Sequence, residues 1–145
     1  MSAAIPAGTV LAFDFGTRRI GVAVGELDTG LAHPLATIAA SRDDEWLRAV
    51  AALVAEWRPA LFVVGLPTRA DGVPHAMTAR AQRFAGKLER HFALPVELCD
   101  ERFTTHGASD ALRETGVRGA ERKRVRDRVA AQLILQDYLD RRRPA

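Results

Sequence analysis

Two apolar runs near the start of this chain face each other across a short polar turn. Thr9 to Phe15 reads Thr-Val-Leu-Ala-Phe-Asp-Phe, and Ile20 to Gly25 reads Ile-Gly-Val-Ala-Val-Gly, with Gly16-Thr17-Arg18-Arg19 between them. A strand that is apolar at successive positions buries both of its faces, so the first run belongs in the middle of a sheet. The turn makes the second run its antiparallel partner. Gly21 and Gly25 alternate with apolar residues, which allows a close backbone approach or a bulge.

The pattern beyond the hairpin completes a layered fold. A weaker third strand lies within Leu31 to Ala39, and Pro34 places it at the sheet edge. Ser41 and Asp44 have the spacing of a capping box, and the helix that follows carries Trp46, Leu47, Val50, Leu53, Val54 and Trp57 on one face until Pro59 ends it. Ala60 to Leu66 reads as a buried strand of the parallel type. A loop with the Asp71-Gly72 turn signal leads to a helix from His75 to Phe92 that buries Ala81, Phe84, Leu88 and Phe92. Pro95 to Asp100 is a fifth strand. Thr104 or Thr105 can cap a short helix running through Leu112 and closed by Gly116, and a last helix runs from Val125 to Arg141. The order predicts an α/β fold as a single domain over residues 1–145: a five-stranded mixed sheet, three antiparallel strands then two parallel, flanked by helices.

Composition narrows the setting. With 48% hydrophobic and 27% charged residues the chain has the balance of a globular protein. No apolar stretch reaches the roughly 18 residues needed to span a bilayer, and the first residues lack the basic and apolar regions of a secretory signal. The expected location is cytoplasmic, with no membrane partner. Cys99 is the only cysteine and sits in an apolar run, as expected of a buried thiol in a reducing compartment. The four histidines, His33, His75, His91 and His106, have no metal-ligand spacing and read as surface or loop residues.

Net charge is only +3, yet all but Lys87 and Lys123 of the 21 basic residues are arginine. Arginine reads phosphate bidentately where lysine acts as a point charge. From Arg118 to Arg128 six cations fall in eleven residues, leading into the last helix. Such a run is commonly a solvated face, but beside a carboxylate site it can hold a polyanion.

Three carboxylates stand where a core would want apolar side chains. Asp14 interrupts the first strand, Glu101 follows directly on the fifth, and Asp127 opens the apolar part of the last helix, sharing a stripe with Ala130, Ala131, Ile134 and Tyr138. Each has a bland explanation: a turn-starting Asp, an acid near a helix start or paired with Arg102, a first-turn acid on a helix dipole. Convergence explains all three at once, because lone buried acids are costly unless neutralised. Two hard cations held about 4 Å apart by such acids activate a water and stabilise the leaving oxygen of a phosphodiester. Convergence requires the carboxylates to lie within about 8 Å of one another.

Leu11-Ala12-Phe13-Asp14-Phe15-Gly16-Thr17-Arg18-Arg19-Ile20-Gly21-Val22-Ala23-Val24-Gly25 resembles the opening motif of the YqgF/RuvX family, the Holliday-junction-resolvase-like nucleases. The resemblance continues through Val64-Gly65-Leu66-Pro67 with Asp71-Gly72, through Asp100-Glu101-Arg102-Phe103-Thr104-Thr105, and from Asp127 to Asp140. It spans nearly the whole chain in order. It implies a ribonuclease-H-like fold and a site at Asp14, Glu101 and Asp127 that holds Mg²⁺ or Mn²⁺, a two-metal site filled mainly with substrate. It also implies a hydrolase acting in 5′-end maturation of the small-subunit ribosomal RNA precursor, ribosome-associated, as a monomer or homodimer. Resolvases of this fold place an acid at the end of the fourth strand, where Val64-Gly65-Leu66-Pro67 offers none, so Glu101 takes that role here. Arg18, Arg19, Arg102, Arg118, Arg122, Lys123 and Arg124 are the expected nucleic-acid contacts.

Three rivals stand beside this reading. One is junction resolution on branched DNA, the older family label. Another is a non-catalytic nucleic-acid-binding module whose acids are structural. Asp14-Phe15-Gly16-Thr17 also resembles the first phosphate loop of actin-like sugar kinases and chaperone ATPases, but these need a second related domain for which 145 residues leave no room.

Overall fold

The computed structural model describes residues 8–66, 76–100 and 119–142. Its strands are β1 (Thr9–Phe15), β2 (Arg19–Glu26), β3 (Leu31–Ala39), β4 (Leu61–Leu66) and β5 (Val96–Asp100). Its helices are α1 (Asp43–Trp57), α2 (Ala76–Phe92) and α3 (Gly119–Arg142). The sheet order is β3-β2-β1-β4-β5, with β1 antiparallel to β2 and parallel to β4. β3 joins antiparallel and β5 parallel, so the expected three-plus-two mixed sheet is present with β1 at its centre.

The pleat sends alternate residues of β1 into two separate cores. Leu11 and Phe13 face α1 and α2, packing with Phe62, Val64, Trp46, Phe84 and Leu88. The aromatic rings meet edge to face, Phe13 with Phe62 at 5.6 Å and Trp46 with Phe84 at 4.7 Å between centroids. Such pairs contribute about 0.5–1.5 kcal/mol each beyond area burial. Val10 and Ala12 face the other way, toward Ala131, Ile134, Leu135 and Leu139 of α3. Among the described helices α3 thus lies on one face of the sheet and α1 and α2 on the other.

α3 also covers the β3 edge. Gln136 accepts from the Ala32 amide at 3.0 Å and donates to the Gly30 carbonyl at 2.8 Å, while Gln132 donates to the Ala32 carbonyl at 3.1 Å. These bonds satisfy outward-pointing backbone groups that would otherwise template pairing with another chain. Pro34 lies on this edge strand, as its missing N–H requires.

Several details depart from the sequence-based expectation. The Ser41 capping box does not form: α1 starts at Asp43, its N-cap residue is Arg42, and no side chain caps it. Asp43, Asp44 and Glu45 in the first turn complement the helix dipole instead. α3 begins at Gly119, six residues before Val125, because Ala120, Glu121, Arg122, Lys123 and Arg124 are all good helix formers. The described part of the basic run is therefore helix, and Asp127 lies about two turns inside α3 rather than in its first turn. Glu101, Arg102, Arg118, the Asp71-Gly72 turn and the helix expected from Thr104 or Thr105 to Leu112 lie outside the described residues.

Candidate active site

The site is built around two glycines. Asp14 is the sixth residue of β1, and its neighbours across the ladder are Gly21 on β2 and Gly65 on β4. Residues paired across a ladder point to the same face, so the carboxylate of Asp14 rises between two positions that have no side chain. Val10 and Ala12 alternate with Asp14 and pack under α3, which puts Asp14 on the α3 face. It is half-buried and has an interaction partner.

Asp127 reaches the same place from α3. A Cβ built on Gly21 would overlap the Asp127 carbonyl oxygen, and it would stand 3.1 Å from the Asp127 Cα. Only a glycine at position 21 lets the helix descend this far onto β2. The close approach repeats four residues further along β2, where a Cβ at Gly25 would meet Leu135 and Leu139 at 3.0 Å. Asp14 and Asp127 are thus both neighbours of Gly21, one along the ladder and one above it.

Arg19 fixes the Asp127 side chain. Its Nε donates to Asp127 Oδ2 at 2.6 Å, with the two side chains 30% and 15% exposed. A charge-assisted bond of this length in a partly desolvated setting is stronger than a surface pair. Further along the helix, Arg128 Nε donates to Thr37 Oγ1 at 3.2 Å, and Thr37 in turn donates to the Arg124 carbonyl at 2.8 Å. These contacts tie the cationic start of α3 to β3.

Of the residues expected at the site, Asp14, Asp127, Arg18, Arg19, Arg122, Lys123 and Arg124 are described. Asp14 and Asp127 are both neighbours of Gly21, and Arg19 is bonded to Asp127. Arg18 is exposed in the β1–β2 turn, where its carbonyl accepts from the Ala40 amide at 2.9 Å. Lys123 and Arg124 are exposed on the first turns of α3 and Arg122 is half-buried there. Among the described residues no group of three or more His, Cys, Asp or Glu is arranged to hold a metal. The two acids that converge are hard oxygen donors, the set that Mg²⁺ and Mn²⁺ prefer. Glu101, the third acid expected from the sequence, lies outside the described residues. The donor chemistry fits the cation.

Cys99 lies on the same face as Gly65, its ladder partner, but takes no part in this chemistry. Burial pushes its thiol up to about 11, aided by the Asp137 carboxylate, to which Sγ donates at 3.6 Å. A thiol so far from ionisation is an inert core group. Tyr138, raised to about 12 by burial and by its bond to Glu97, also receives Arg142 Nη1 at 2.8 Å.

Sequence reading passed over one feature of this region. Arg80, Arg83, Lys87 and Arg90 recur on α2 at helical spacing, a signal that was legible once the helix was placed. Attention to the denser run from Arg118 to Arg128 obscured it.

No helix among the described residues is long and apolar enough to cross a membrane. A family model described as "RuvX: Holliday junction resolvase" matches residues 8–141. The chain is 54% identical over 136 residues to a protein of Nitrosospira multiformis, covering 94% of this chain and 90% of that one. A relative from Thiobacillus denitrificans is 53% identical over 142 residues and covers 98% of both. Each carries the name "Putative pre-16S rRNA nuclease". Among solved structures, the fowlpox virus resolvase in complex with Holliday junction DNA aligns at a TM-score of 0.60 and 10% identity, over 92% of this chain and 97% of that one. RuvC of T. thermophilus with a Holliday junction substrate aligns at 0.55 and 16% identity, over 92% and 94%. These distant likenesses identify the fold as ribonuclease-H-like, the resolvase arrangement. On the family match and the close relatives together, the chain belongs to the RuvX (YqgF) family.

Proposed function

We propose that this protein is a divalent-metal-dependent nuclease that hydrolyses phosphodiester bonds in the precursor of 16S ribosomal RNA. The observation that carries the reading is the convergence of Asp14 and Asp127, from opposite ends of the sequence, on the side-chain-free position Gly21. The names of relatives about half identical over nearly the whole chain support the substrate. Glu101, the residue after β5, is assigned as the third acid.

Asp14, Asp127 and Glu101 would hold the cation, Mg²⁺ or Mn²⁺. When bound, it lowers the pKa of a water and neutralises charge developing on the leaving oxygen. The chain's own contribution is placement. Gly21 lets the Asp127 backbone descend onto β2 beside Asp14, and Gly65 presents no side chain on the other flank of that carboxylate. Arg19 holds Asp127 in one orientation and keeps its charge compensated before substrate arrives. Arg18, Arg102, Arg118, Arg122, Lys123 and Arg124 surround these acids in sequence and supply cations for the flanking phosphates.

Branched DNA is the second reading, supported by the resolvase description of the matching family model. A cleavage assay with Mn²⁺ or Mg²⁺ on precursor ribosomal RNA, single-stranded RNA and a four-way DNA junction tests both. Cleavage of the RNA precursor alone is expected. Preferential junction cleavage overturns the substrate, and binding with no metal-dependent cleavage of any of the three leaves a non-catalytic module.

A further inference from the structure

A second cationic surface lies on the opposite side of the sheet from α3. At 100° per residue, Arg80, Arg83, Lys87 and Arg90 of α2 fall within an arc of about 80°. Glu89, the only acid on this helix, projects about 180° from Arg80. The four cations are exposed, and among the described residues no carboxylate pairs with Arg80, Arg83 or Arg90. Lys87 is paired, its Nζ on Asp43 Oδ2 at 2.5 Å.

Two hollows follow this ridge and share Arg83 and Lys87. The first, of about 310 Å³, has Phe15 with the buried Trp46 and Phe84 as its aromatic wall, and Arg80, Arg83 and Lys87 at its rim. Phe15 is the residue after Asp14, so the alternation of β1 connects the two faces: the carboxylate rises toward α3 while the next side chain opens into this hollow. Asp43 lies in the same wall, but Lys87 and the Trp46 indole both donate to it and hold its carboxyl below the usual range. That pairing confines the negative charge to the α1 side and leaves Arg80 and Arg83 uncompensated. The second hollow, of about 470 Å³, runs over Ala79 and Gly86, with Arg90 at its far end. Gly86 sits in mid-helix, where glycine costs about 0.5–1 kcal/mol relative to alanine, and the Arg90 guanidinium lies over it at 3.4 Å from a built Cβ.

We propose that this ridge is the track for the nucleic-acid strand leaving the active site. A nucleobase stacks on Phe15, and phosphates of the same strand lie on Arg80, Arg83 and Arg90. The ridge spans about 15 Å, the axial length of roughly four phosphates of one strand. An aromatic face beside a row of arginines is the combination that holds single strands without reading their sequence. Charge complementarity selects a polyanion, since uncompensated arginines in one arc repel cationic and apolar partners alike.

This inference rests on the nuclease reading, and the experiment separates the two. The full chain carrying Asp14→Asn, in EDTA, is titrated with fluorescent single-stranded RNA of about 6 and about 16 nucleotides at several salt concentrations. Adding Arg80→Gln, Arg83→Gln and Arg90→Gln is expected to weaken binding of the longer RNA at least tenfold. It should also reduce the logarithmic salt slope by about 2, since each lost phosphate contact reduces it by about 0.7. The shorter RNA should be affected much less. A control removing equal charge elsewhere, Arg48→Gln, Arg58→Gln and Arg141→Gln, should change the slope little. An unchanged slope in the ridge variant, or an equal fall in the control, overturns the track. Absence of metal-dependent cleavage by the unsubstituted chain overturns the nuclease reading, while a ridge-specific loss of slope still supports the track.

Discussion

Gly21 of β2 packs against the carbonyl oxygen of Asp127 so closely that the space between strand and helix excludes even a methyl group. The Gly21→Ala protein must push α3 away from the sheet or distort β2. Overpacking of this kind costs about 1–3 kcal/mol. A fall in Tm of several degrees is therefore expected, with cleavage lost because Asp127 moves. Gly86→Ala is the matched contrast: its Cβ meets only the flexible end of Arg90, so the helix should gain about 0.5–1 kcal/mol. Thermal melts of the two variants should shift in opposite directions.

Asp14→Asn should abolish cleavage while leaving the melt close to that of the unsubstituted chain. The amide keeps the shape of the carboxylate between Gly21 and Gly65 but loses the charge that would hold a cation. Loss of metal-assisted activation lowers rates by several orders of magnitude. EDTA should have the same effect on the unsubstituted enzyme, reversed by Mn²⁺. Undiminished cleavage in EDTA would reject the metal-dependent mechanism.

A divalent cation held by Asp127 in the proposed site would compete with Arg19 for that carboxylate. Arg19→Gln should therefore increase the stabilisation that millimolar Mn²⁺ confers on the fold, by linkage of binding to unfolding. The same substitution without metal should lower stability by about 1 kcal/mol, and a cycle with Asp127→Asn should show that the two losses are coupled. Melting curves with and without Mn²⁺ measure both. An equal Mn²⁺ shift in the Arg19 variant would remove the competition.

Gln136→Leu should unmask the β3 edge. Both the Ala32 amide and the Gly30 carbonyl lose their side-chain partner, costing about 1–3 kcal/mol for groups left poorly solvated. Concentration-dependent association should appear in gel filtration, because an uncovered edge strand pairs readily.

Alkaline pH should unfold this protein through two core groups. Cys99 titrates near 11 and Tyr138 near 12 in the fold, above their ordinary values of 9.0 and 10.0. Between those limits the folded chain holds protons that the unfolded chain has released, so stability is full below about pH 9 and falls as pH rises toward 12. Cys99→Ala should flatten the fall between pH 9 and 11 in urea titrations, and a profile identical to the unsubstituted chain would exclude the thiol.

How legible the protein was in its sequence depended on the range of the interactions involved. β1 followed from an unbroken apolar run, β2 from alternation after a turn, and the core faces of α1 and α2 from helical periodicity, all of which are local. Asp14 and Asp127 were legible because a charge inside an apolar pattern needs a reason. Their common neighbour Gly21 was read only as permission for close approach, since nothing local says that α3 is what approaches. The Ser41 cap failed for a related reason. Capping spacing is local, but the chain enters α1 from β3, and Arg42 takes the N-cap position instead. α3 begins earlier than Val125 because helix propensity through Glu121, Arg122 and Lys123 extends it ahead of the apolar periodicity that marks its core face.

Among the described elements α3 follows all five strands, so in the proposed site its docking would set when the acids first meet. The Arg19–Asp127 bond closes across 108 residues and the Ala32–Gln136 bond across 104. Closing a loop of that size costs about 4 kcal/mol of chain entropy, which only the burial of a whole helix face offsets. During synthesis the hairpin and β4 can emerge and pair while Asp14 still lacks its partner from α3. In the proposed site, a nascent chain would therefore carry Asp14 without Asp127 until α3 has left the ribosome, a delay built into the order of the elements.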